Sequence, residues 1–478
     1  MGSDWCMSLT GLPRLFLKIL ESKMPFFMQF RLLKIGAQIT NNPDLEWYLG
    51  KIMEEKGNLN GAICSYEAAI NRVDRLDEVS STRRQAYQFS LEKARYLLGK
   101  PSAKDPLHHC RIYPGRLVSE SSLNNCAGYF QVGLRYNGLL VETSLKNNHS
   151  KYIDLMINGV PFYRLKVSMN IKNYRFTIRR PALSYFPSQG ELTARLSDGS
   201  YLLFEGSKLA LLEIPHGSGD ICDLLKERGF LEKKGNIPLT NQELHRRQLE
   251  YLNLYARARD FFDAEIGRSL FLIYGTLLGF YREGDFIQGD DDFDVAYISE
   301  EGDPLAVKEE AKNIIVNLVR AGFTVAFNQS GRPFRLRDSY GGAEIHLDIR
   351  PIWFQDGKVW AHKQACLSCT LDDFRSFKKE KFRDTEVYIP NKPEVFLKAY
   401  YGPEWKVPDP NYSNNSVFVP ADVRKNLALA CLTTGEFRSM RESLQSERIK
   451  YPNMGDLISN ALQDLYPLED YEVKCGWR

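Results

Sequence analysis

Residues 269–295 read SLFLIYGTLLGFYREGDFIQGDDDFDV, and this stretch decides the fold of the C-terminal half of the chain. Its apolar beginning, Ser269 to Tyr274, predicts a short buried strand, and Gly275-Thr276 ends that strand. The end of the stretch, Asp290-Asp-Asp-Phe-Asp294, places four carboxylates within five residues. Such a density of like charge is unfavourable unless something neutralises it. The stretch therefore predicts a strand, a turn and a charged site in close succession.

The acidic run alternates as a strand does when it buries one face. Asp292 and Asp294 point to the same side, and Asp290 joins them. Phe293 and Val295 are apolar and are predicted to face the core. Hard carboxylate oxygens gathered on one face suit Mg²⁺ or Mn²⁺. A calcium loop is disfavoured, because Val295 stands where that loop needs a glycine for its sharp turn.

A second strand with two unlike faces is predicted at Ala343–Arg350. Its apolar face carries Ile345, Leu347 and Ile349, and its polar face carries Glu344, His346, Asp348 and Arg350. A polar row is the ordinary solvated face of a strand unless it lines a site. If it lines one, Asp348 supplies the third carboxylate that a two-metal arrangement needs.

These motifs together resemble the LicD/fukutin family of phosphotransferases, which has the nucleotidyltransferase superfold. The resemblance is carried by Tyr274-Gly-Thr-Leu-Leu-Gly279, Arg282, Phe286-Ile287, Asp290-Asp-Asp-Phe-Asp294, His346-Leu-Asp348 and the element Tyr401-Gly402-Pro-Glu-Trp405. It spans roughly residues 240–410, about a third of the chain. The chain departs from the family pattern at Gln288-Gly289, where the family has Pro-Trp, and at Arg350, where the family has Phe.

The resemblance implies a metal-dependent enzyme, a transferase of substituted phosphate groups. It would move a phospho-alcohol of the ribitol phosphate, glycerol phosphate or phosphocholine type from a CDP-activated donor to a sugar hydroxyl, releasing CMP. The acceptor would be a capsular or cell-surface glycan, or a lipid-linked oligosaccharide. The implied cofactor is Mg²⁺ or Mn²⁺.

The site residues implied by the resemblance fall into two groups. Asp292, Asp294 and Asp348 are the catalytic carboxylates and the metal ligands, and Asp348 is also a candidate to accept the proton of the acceptor hydroxyl. The second group binds phosphate or substrate, and its members are Gly275, Thr276, Arg282, Arg350 and His346. Each of these basic residues has an alternative role as an ordinary ion-pair or hydrogen-bond partner.

The rest of the chain predicts a multidomain α+β protein in three parts. Residues 1–105 form a helical domain in which about 43–72 resembles one tetratricopeptide repeat. Residues 125–216 have period-two patterning with turn signals and predict an antiparallel β-sandwich of seven strands, the last at Tyr201–Glu205. Residues 220–478 form the nucleotidyltransferase-like α/β domain with a mixed sheet.

Composition limits the partners and the location. The balance of 63 Lys+Arg against 60 Asp+Glu leaves a net charge of +3, so no nucleic-acid partner is expected. Nine cysteines, scattered and odd in number, favour a reducing cytoplasmic location. The basic, apolar segment Met7–Ile39 is predicted to pack on the next domain or to lie on the inner face of a membrane. The repeat-like helices are a candidate surface for a protein partner.

Two alternative functions stay open at the sequence level. One is a nucleotidyltransferase that places NMP from an NTP on a sugar or protein. The other is a non-catalytic interaction protein that uses the repeat-like helices and the sandwich. Common kinase, dehydrogenase and hydrolase motifs are absent from the sequence. Cys366 and Cys369, with His362 nearby, form only a weak zinc signal because a second matching pair is missing.

Overall fold

The computed structural model describes residues 26–40, 42–73, 81–100, 105–146, 150–168, 171–287, 292–327, 334–340, 343–361, 365–374, 376–408 and 419–459. The chain divides into two compact units, and the division falls between Thr240 and Asn241. Helices occur together with antiparallel and mixed sheets, which confirms a multidomain α+β protein. Residues 220–240 lie with the first unit, whereas the sequence prediction begins its last domain at 220. The basic N-terminal segment up to residue 25 lies outside the described residues.

The first unit begins with helices. They are α1 (Phe26–Thr40), α2 (Pro43–Glu55), α3 (Leu59–Val73) and α4 (Ser81–Leu97). The side chain of Asn42 caps α2 by accepting the amide of Asp44 at 2.9 Å. Gly57 makes the turn between α2 and α3 with a φ of 76°. This helical hairpin is the segment that resembles a tetratricopeptide repeat, and the assignment as a repeat stays a prediction.

Close packing of α2 on α3 depends on Gly50. A Cβ at this position would lie 2.4 Å from Tyr66 Cε1. The ring of Tyr66 is fully buried, and its hydroxyl donates to Glu54 Oε2 at 2.6 Å. The ring is therefore held in place and cannot move aside cheaply.

We expect Gly50→Ala to lower the free energy of unfolding by about 1–3 kcal/mol, because overpacking against Tyr66 exceeds the gain in helix propensity. Urea unfolding measures this change. Asn71→Ala is the matched control, since Asn71 is exposed on α3 and its replacement introduces no clash. Equal stability of Gly50→Ala and wild type would contradict the packing described.

The rest of the first unit is rich in strands. The strands are β1 (Arg111–Pro114), β2 (Gly128–Arg135), β3 (Gly138–Leu145), β4 (Tyr152–Ile157), β5 (Val160–Lys166), β6 (Asn173–Arg179), β7 (Gln189–Leu196) and β8 (Ala210–Glu213). Short helices are α5 (Glu120–Asn124), α6 (Arg180–Leu183) and α7 (Ile221–Arg228). Two antiparallel sheets, ordered β1-β8-β7-β4-β5 and β2-β3-β6, share one hydrophobic core. The β-sandwich classification itself stays a prediction.

The predicted strand Tyr201–Glu205 is wrong in detail. This segment forms isolated bridges, from Tyr201 to Arg195, from Leu203 to Tyr129 and from Phe204 to Ser207. Arg195 and Tyr129 belong to different sheets, so the segment joins the two sheets instead of extending either ladder. Glu205 has a φ of 46°, a conformation that ends an extended strand.

A charged group lies inside the core of the first unit. Arg180 is fully buried, and its Nη1 donates to Asp105 Oδ1 at 2.9 Å. His108 is also buried, with Nε2 3.9 Å from Asp105 Oδ2, and its ring packs against Phe89 and Tyr96. Burial lowers the pKa of His108 to about 4, so the folded protein holds this ring neutral.

The first unit should lose stability as the pH falls from about 6.5 to about 4. In this window the unfolded chain binds a proton at His108 and the folded chain does not, so protonation favours unfolding. The contribution is present above pH 6.5 and amounts to about 3 kcal/mol. We expect His108→Phe, which cannot be protonated, to reduce the decline in urea midpoint. The urea midpoint of His216→Gln, a change at an exposed histidine, should decline with pH as that of wild type does. An equal decline in His108→Phe and wild type would show that His108 is not the group responsible.

The second unit is built on one large mixed sheet. Its helices are α8 (Asn241–Phe261), α9 (Tyr274–Glu283), α10 (Pro304–Arg320), α11 (Pro393–Tyr401), α12 (Ala421–Leu429) and α13 (Thr434–Glu447). Its strands are β9 (Phe271–Leu272), β10 (Asp294–Ile298), β11 (Thr324–Phe327), β12 (Phe334–Tyr340), β13 (Ala343–Gln355), β14 (Lys358–Ala361), β15 (Ala365–Leu367), β16 (Phe377–Phe382), β17 (Thr385–Pro390) and β18 (Leu457–Ser459). The strand order is β16-β17-β9-β10-β13-β12-β11-β18, with β14 added to β13 and β15 to β14.

The centre of this sheet is the parallel pair β10 and β13. The apolar side chains predicted to face the core do so: Phe293, Val295, Ile345, Leu347 and Ile349 are all buried. The predicted strand at 269–274 is shorter in the structure, where β9 holds only Phe271 and Leu272 and α9 begins at Tyr274. Across the described part of the chain, we find no helix with the length and apolarity needed to cross a membrane.

Candidate active site

Strand register places two of the predicted acids side by side. Asp294 is the first residue of β10 and lies opposite Asp348 of β13 in the parallel ladder. The backbone amide of Asp348 donates to the carbonyl of Phe293 at 2.9 Å, which secures this register. Asp292 lies just before β10. Its carboxylate oxygen Oδ1 lies 3.9 Å from Nε2 of His346, which is on β13 beside Asp348. Asp290 lies outside the described residues.

The side chain of Arg350 lies between Asp294 and Asp348. Its Nη2 is 3.2 Å from Asp294 Oδ1 and 3.2 Å from Asp348 Oδ2, and its Nε is 3.4 Å from Asp294 Oδ1. Arg350 is two residues beyond Asp348 on β13, so both project from the same face of the sheet. The sequence predicted Arg350 as a phosphate ligand, and the structure pairs it with the acids.

Two further side chains surround Asp348. Arg335 of β12 lies opposite Asp348 in the antiparallel ladder, with Nε 2.6 Å from Oδ1 and Nη2 3.3 Å from Oδ2. His346 Nε2 lies 3.9 Å from Asp348 Oδ1 and 3.9 Å from Asp292 Oδ1. His346 therefore stands between two of the predicted acids, at a distance from each that is longer than a hydrogen bond.

The two adjacent carboxyls have opposite pKa shifts. Burial raises the pKa of Asp294 to about 6, with Asp348 and Asp292 adding to the rise and Arg350 opposing it. Burial also acts to raise the pKa of Asp348, but Arg335 and Arg350 outweigh it and the net shift is downward. Two guanidinium groups thus keep Asp348 ionised. Asp294 is paired with Arg350, which it shares with Asp348, so its negative charge is less fully compensated.

The aromatic ring of Tyr274 packs against the guanidinium group of Arg350. The Arg350 guanidinium carbon lies 5.4 Å from the centroid of the Tyr274 ring, within the range of a cation–π contact. The ring is held in turn by Phe396 and Tyr400, with centroid distances of 5.7 and 4.7 Å. Tyr274 has a φ of 49°, an unfavourable backbone conformation for a residue with a side chain. The packing of its ring offsets this cost.

Gly275 and Thr276 lie in the first turn of α9. The Thr276 side chain is buried, and its Oγ1 accepts the backbone amide of Asp294 at 2.8 Å. Thr276 therefore ties the start of α9 to the start of β10. The phosphate contact at these two residues stays a prediction, and their place at a helix N-terminus is a common position for phosphate binding.

Arg282 lies at the other end of the same helix. It is in the last turn of α9, about 10 Å along the axis from Gly275. Its Nε lies 3.1 Å from Glu283 Oε1. The described contacts do not bring Arg282 to Asp294 or Asp348, and its role as a phosphate ligand stays a prediction.

The carboxylates fit a magnesium ion that keeps part of its water shell. Within the described residues, no group of three or more His, Cys, Asp and Glu side chains is arranged as a ready-made metal cage. Mg²⁺ is usually bound by one or two carboxylates plus water and substrate phosphates, so such a cage is not required. Asp294 is 17% exposed at its side chain and Asp292 is 40% exposed, which provides hard oxygen donors beside an unrelieved negative charge.

The sequence gives only a weak signal for Arg335 and Tyr274. Alternation along a strand shows which face Arg335 lies on, but it does not show the carboxylate opposite it. Tyr274 appeared only as part of the glycine-threonine motif. The signal that points to it is the contact with Arg350, which joins residues far apart along the chain.

The weak zinc signal gains no support from the described residues. Cys366 is half-buried and Cys369 is buried, and both are free thiols. Burial raises the pKa of Cys369 to about 11, which disfavours the thiolate that zinc requires. His362 lies outside the described residues.

The mixed sheet sets acids on adjacent strands beside the N-terminus of a helix, and this combination suits the binding of a metal ion and a phosphate group. Residues 267–392 match the family described as LicD/FKTN/FKRP, nucleotidyltransferase domain. This match confirms the predicted LicD family resemblance for the region that carries the site, and it indicates similarity to a phosphotransferase- or nucleotidyltransferase-like family. No curated protein matches the chain.

Replacing Thr276 should test its link to β10. Thr276→Val removes the acceptor of the buried Asp294 amide at nearly constant volume, so we expect the free energy of unfolding to fall by about 1–3 kcal/mol. Thr276→Ser keeps the hydroxyl and should retain most of the stability. Urea unfolding of both variants measures the difference, and equal losses would show that the hydroxyl is not the stabilising group.

Proposed function

We propose that the second unit catalyses metal-dependent transfer of a phospho-alcohol from a CDP-activated donor to a sugar hydroxyl of a capsular or cell-surface glycan. The alcohol phosphate would be of the ribitol phosphate, glycerol phosphate or phosphocholine type, and CMP would be released. The acceptor hydroxyl would attack the phosphorus that bears the alcohol, the bond from that phosphorus to CMP would break, and the hydroxyl proton would leave to a base.

The observation that carries this proposal is the pairing of Asp294 with Asp348 across β10 and β13. Two segments remote in sequence bring Asp292 and Asp294 near Asp348, since Asp294 lies opposite Asp348 and His346 lies 3.9 Å from both Asp292 and Asp348. The family match to residues 267–392 covers this region. The acids therefore belong to the segment that resembles phosphate-transferring enzymes.

Asp292 and Asp294 would hold Mg²⁺ or Mn²⁺, and the ion would supply charge stabilisation at the phosphate oxygens. Arg350 and Arg335 carry fixed positive charge next to the same carboxylates. These guanidinium groups are oriented by their ion pairs, which places donors for non-bridging oxygens beside the acids. His346, which lies between Asp292 and Asp348, would contact the substrate or one of these carboxylates.

Asp348 acts by orientation instead of by proton transfer in this proposal. A general base works best when its pKa lies near the operating pH. The pKa of Asp348 is below its usual value, since Arg335 and Arg350 outweigh the effect of burial. Both of its oxygens face guanidinium nitrogens. Its main effect is to fix the two arginines.

A second candidate is transfer of NMP from an NTP to a sugar or protein. The description of the matched family as a nucleotidyltransferase domain favours keeping it. The two reactions differ in their leaving groups, CMP against pyrophosphate. The finer predictions for the first unit, a protein partner at residues 43–72 and contact with a membrane through the N-terminus, remain separate proposals.

The proposed reaction can be tested with purified protein, Mg²⁺, a glycan acceptor and CDP-ribitol, CDP-glycerol or CDP-choline in turn. We expect one donor to give CMP release that depends on the metal. Asp294→Asn should lower the rate at least about 100-fold, because metal-ion charge stabilisation is worth several kcal/mol.

Asp260→Asn is the matched control, an identical change at an α8 residue whose side chain is 67% exposed. It should retain the wild-type rate. Transfer by Asp294→Asn at the wild-type rate would refute the assignment of the site. Pyrophosphate release from an NTP, without CMP release from any CDP donor, would favour the second candidate.

A further inference from the structure

We propose that Arg350 takes the place of one of the two divalent cations of a two-metal site, so that this chain binds a single Mg²⁺ or Mn²⁺ and supplies the second positive charge from its own side chain. This inference rests on the proposed function, because it assumes a metal at Asp292 and Asp294. It goes beyond that function in assigning the number of ions and the residue that sets it.

The position of the guanidinium is the first argument. One nitrogen, Nη2, lies 3.2 Å from Asp294 Oδ1 and 3.2 Å from Asp348 Oδ2. A cation bridging these two carboxylates would compete with Arg350 for their oxygens. Arg350 therefore already provides positive charge at the junction where Asp348 would complete a second metal site.

The second argument is that Arg350 is held in this place. Its side chain is 7% exposed, and it lies on the central strand β13, opposite Ala296 of β10. The ring of Tyr274 packs against the guanidinium. Moving the side chain away would leave buried carboxylates uncompensated, at a cost of several kcal/mol. A guanidinium also cannot lose its proton in a protein, so its charge is permanent.

Asp348, the acid that a second ion would need, is already paired with two guanidinium groups, those of Arg335 and Arg350. A second divalent cation at this carboxylate would lie close to two fixed positive charges, which repel it.

The exposure of the three acids also favours a single ion. The side chains of Asp292, Asp294 and Asp348 are 40, 17 and 11% exposed. Exposure thus decreases toward Asp348, which is enclosed by Arg335 and Arg350. Asp292 and Asp294 are therefore the acids that an ion from solution can reach, in agreement with a single metal site.

The number of ions can be measured directly by titrating the full chain with Mn²⁺, using calorimetry and the electron paramagnetic resonance of free Mn²⁺, without substrate. We expect wild type to bind a single Mn²⁺. Arg350→Gln removes the charge and should add a second site, while Arg350→Lys keeps the charge and should bind a single ion. Arg335→Gln is the matched control, because Arg335 pairs with Asp348 but does not contact Asp294 in the described set of ion pairs; it too should bind a single ion.

Each outcome decides the inference. Two Mn²⁺ per wild-type chain would overturn it and leave the proposed function intact. No Mn²⁺ binding would overturn both the metal-dependent function and this inference. A single ion in folded Arg350→Gln, with folding checked by circular dichroism, would show that Arg350 does not exclude the second ion. If Arg350→Gln does not fold, the wild-type and Arg350→Lys counts still decide, since two ions in either would overturn the inference.

Discussion

The second unit depends on how it accommodates two carboxylates on neighbouring central strands. Asp294 and Asp348 face each other across the parallel ladder of β10 and β13, where water is largely excluded. Like charges this close repel, and burial makes each of them costlier. Arg350 and Arg335 offset that cost from the same sheet face. Strand register, helix start and aromatic packing around Tyr274 all serve to keep these four charges in one arrangement.

Sequence patterning was sufficient where a strand has one apolar face. The alternation at Phe293 and Val295, and at Ile345, Leu347 and Ile349, predicted the buried sides correctly because period two follows from backbone geometry alone. The same alternation put His346, Asp348 and Arg350 on one face. It does not reveal partners, because the register between β10, β12 and β13 depends on pairing between segments remote in sequence. The neutralisation of Asp348 by Arg335 was therefore beyond sequence reasoning.

The ends of strands and helices are harder to predict from the sequence than the buried face of a strand. The sequence predicts that Gly275-Thr276 ends a strand as a turn, but helix α9 begins one residue earlier, at Tyr274. Glycine and threonine occur both in turns and in the first turn of a helix, so composition alone does not separate the two. In the first unit, Tyr201–Glu205 has the residues of a strand but alternates between two sheets. That choice depends on tertiary contacts, which outweigh local propensity.

The separation of Asp294 and Arg350 by 56 residues along the chain also has a consequence for synthesis. A nascent polypeptide that has emerged only as far as β10 carries the acidic strand without the guanidinium that neutralises it. Closing that long loop costs entropy before any compensation is gained. The acidic strand is therefore expected to stay hydrated until β13 pairs with it, so that sheet closure and charge neutralisation occur together.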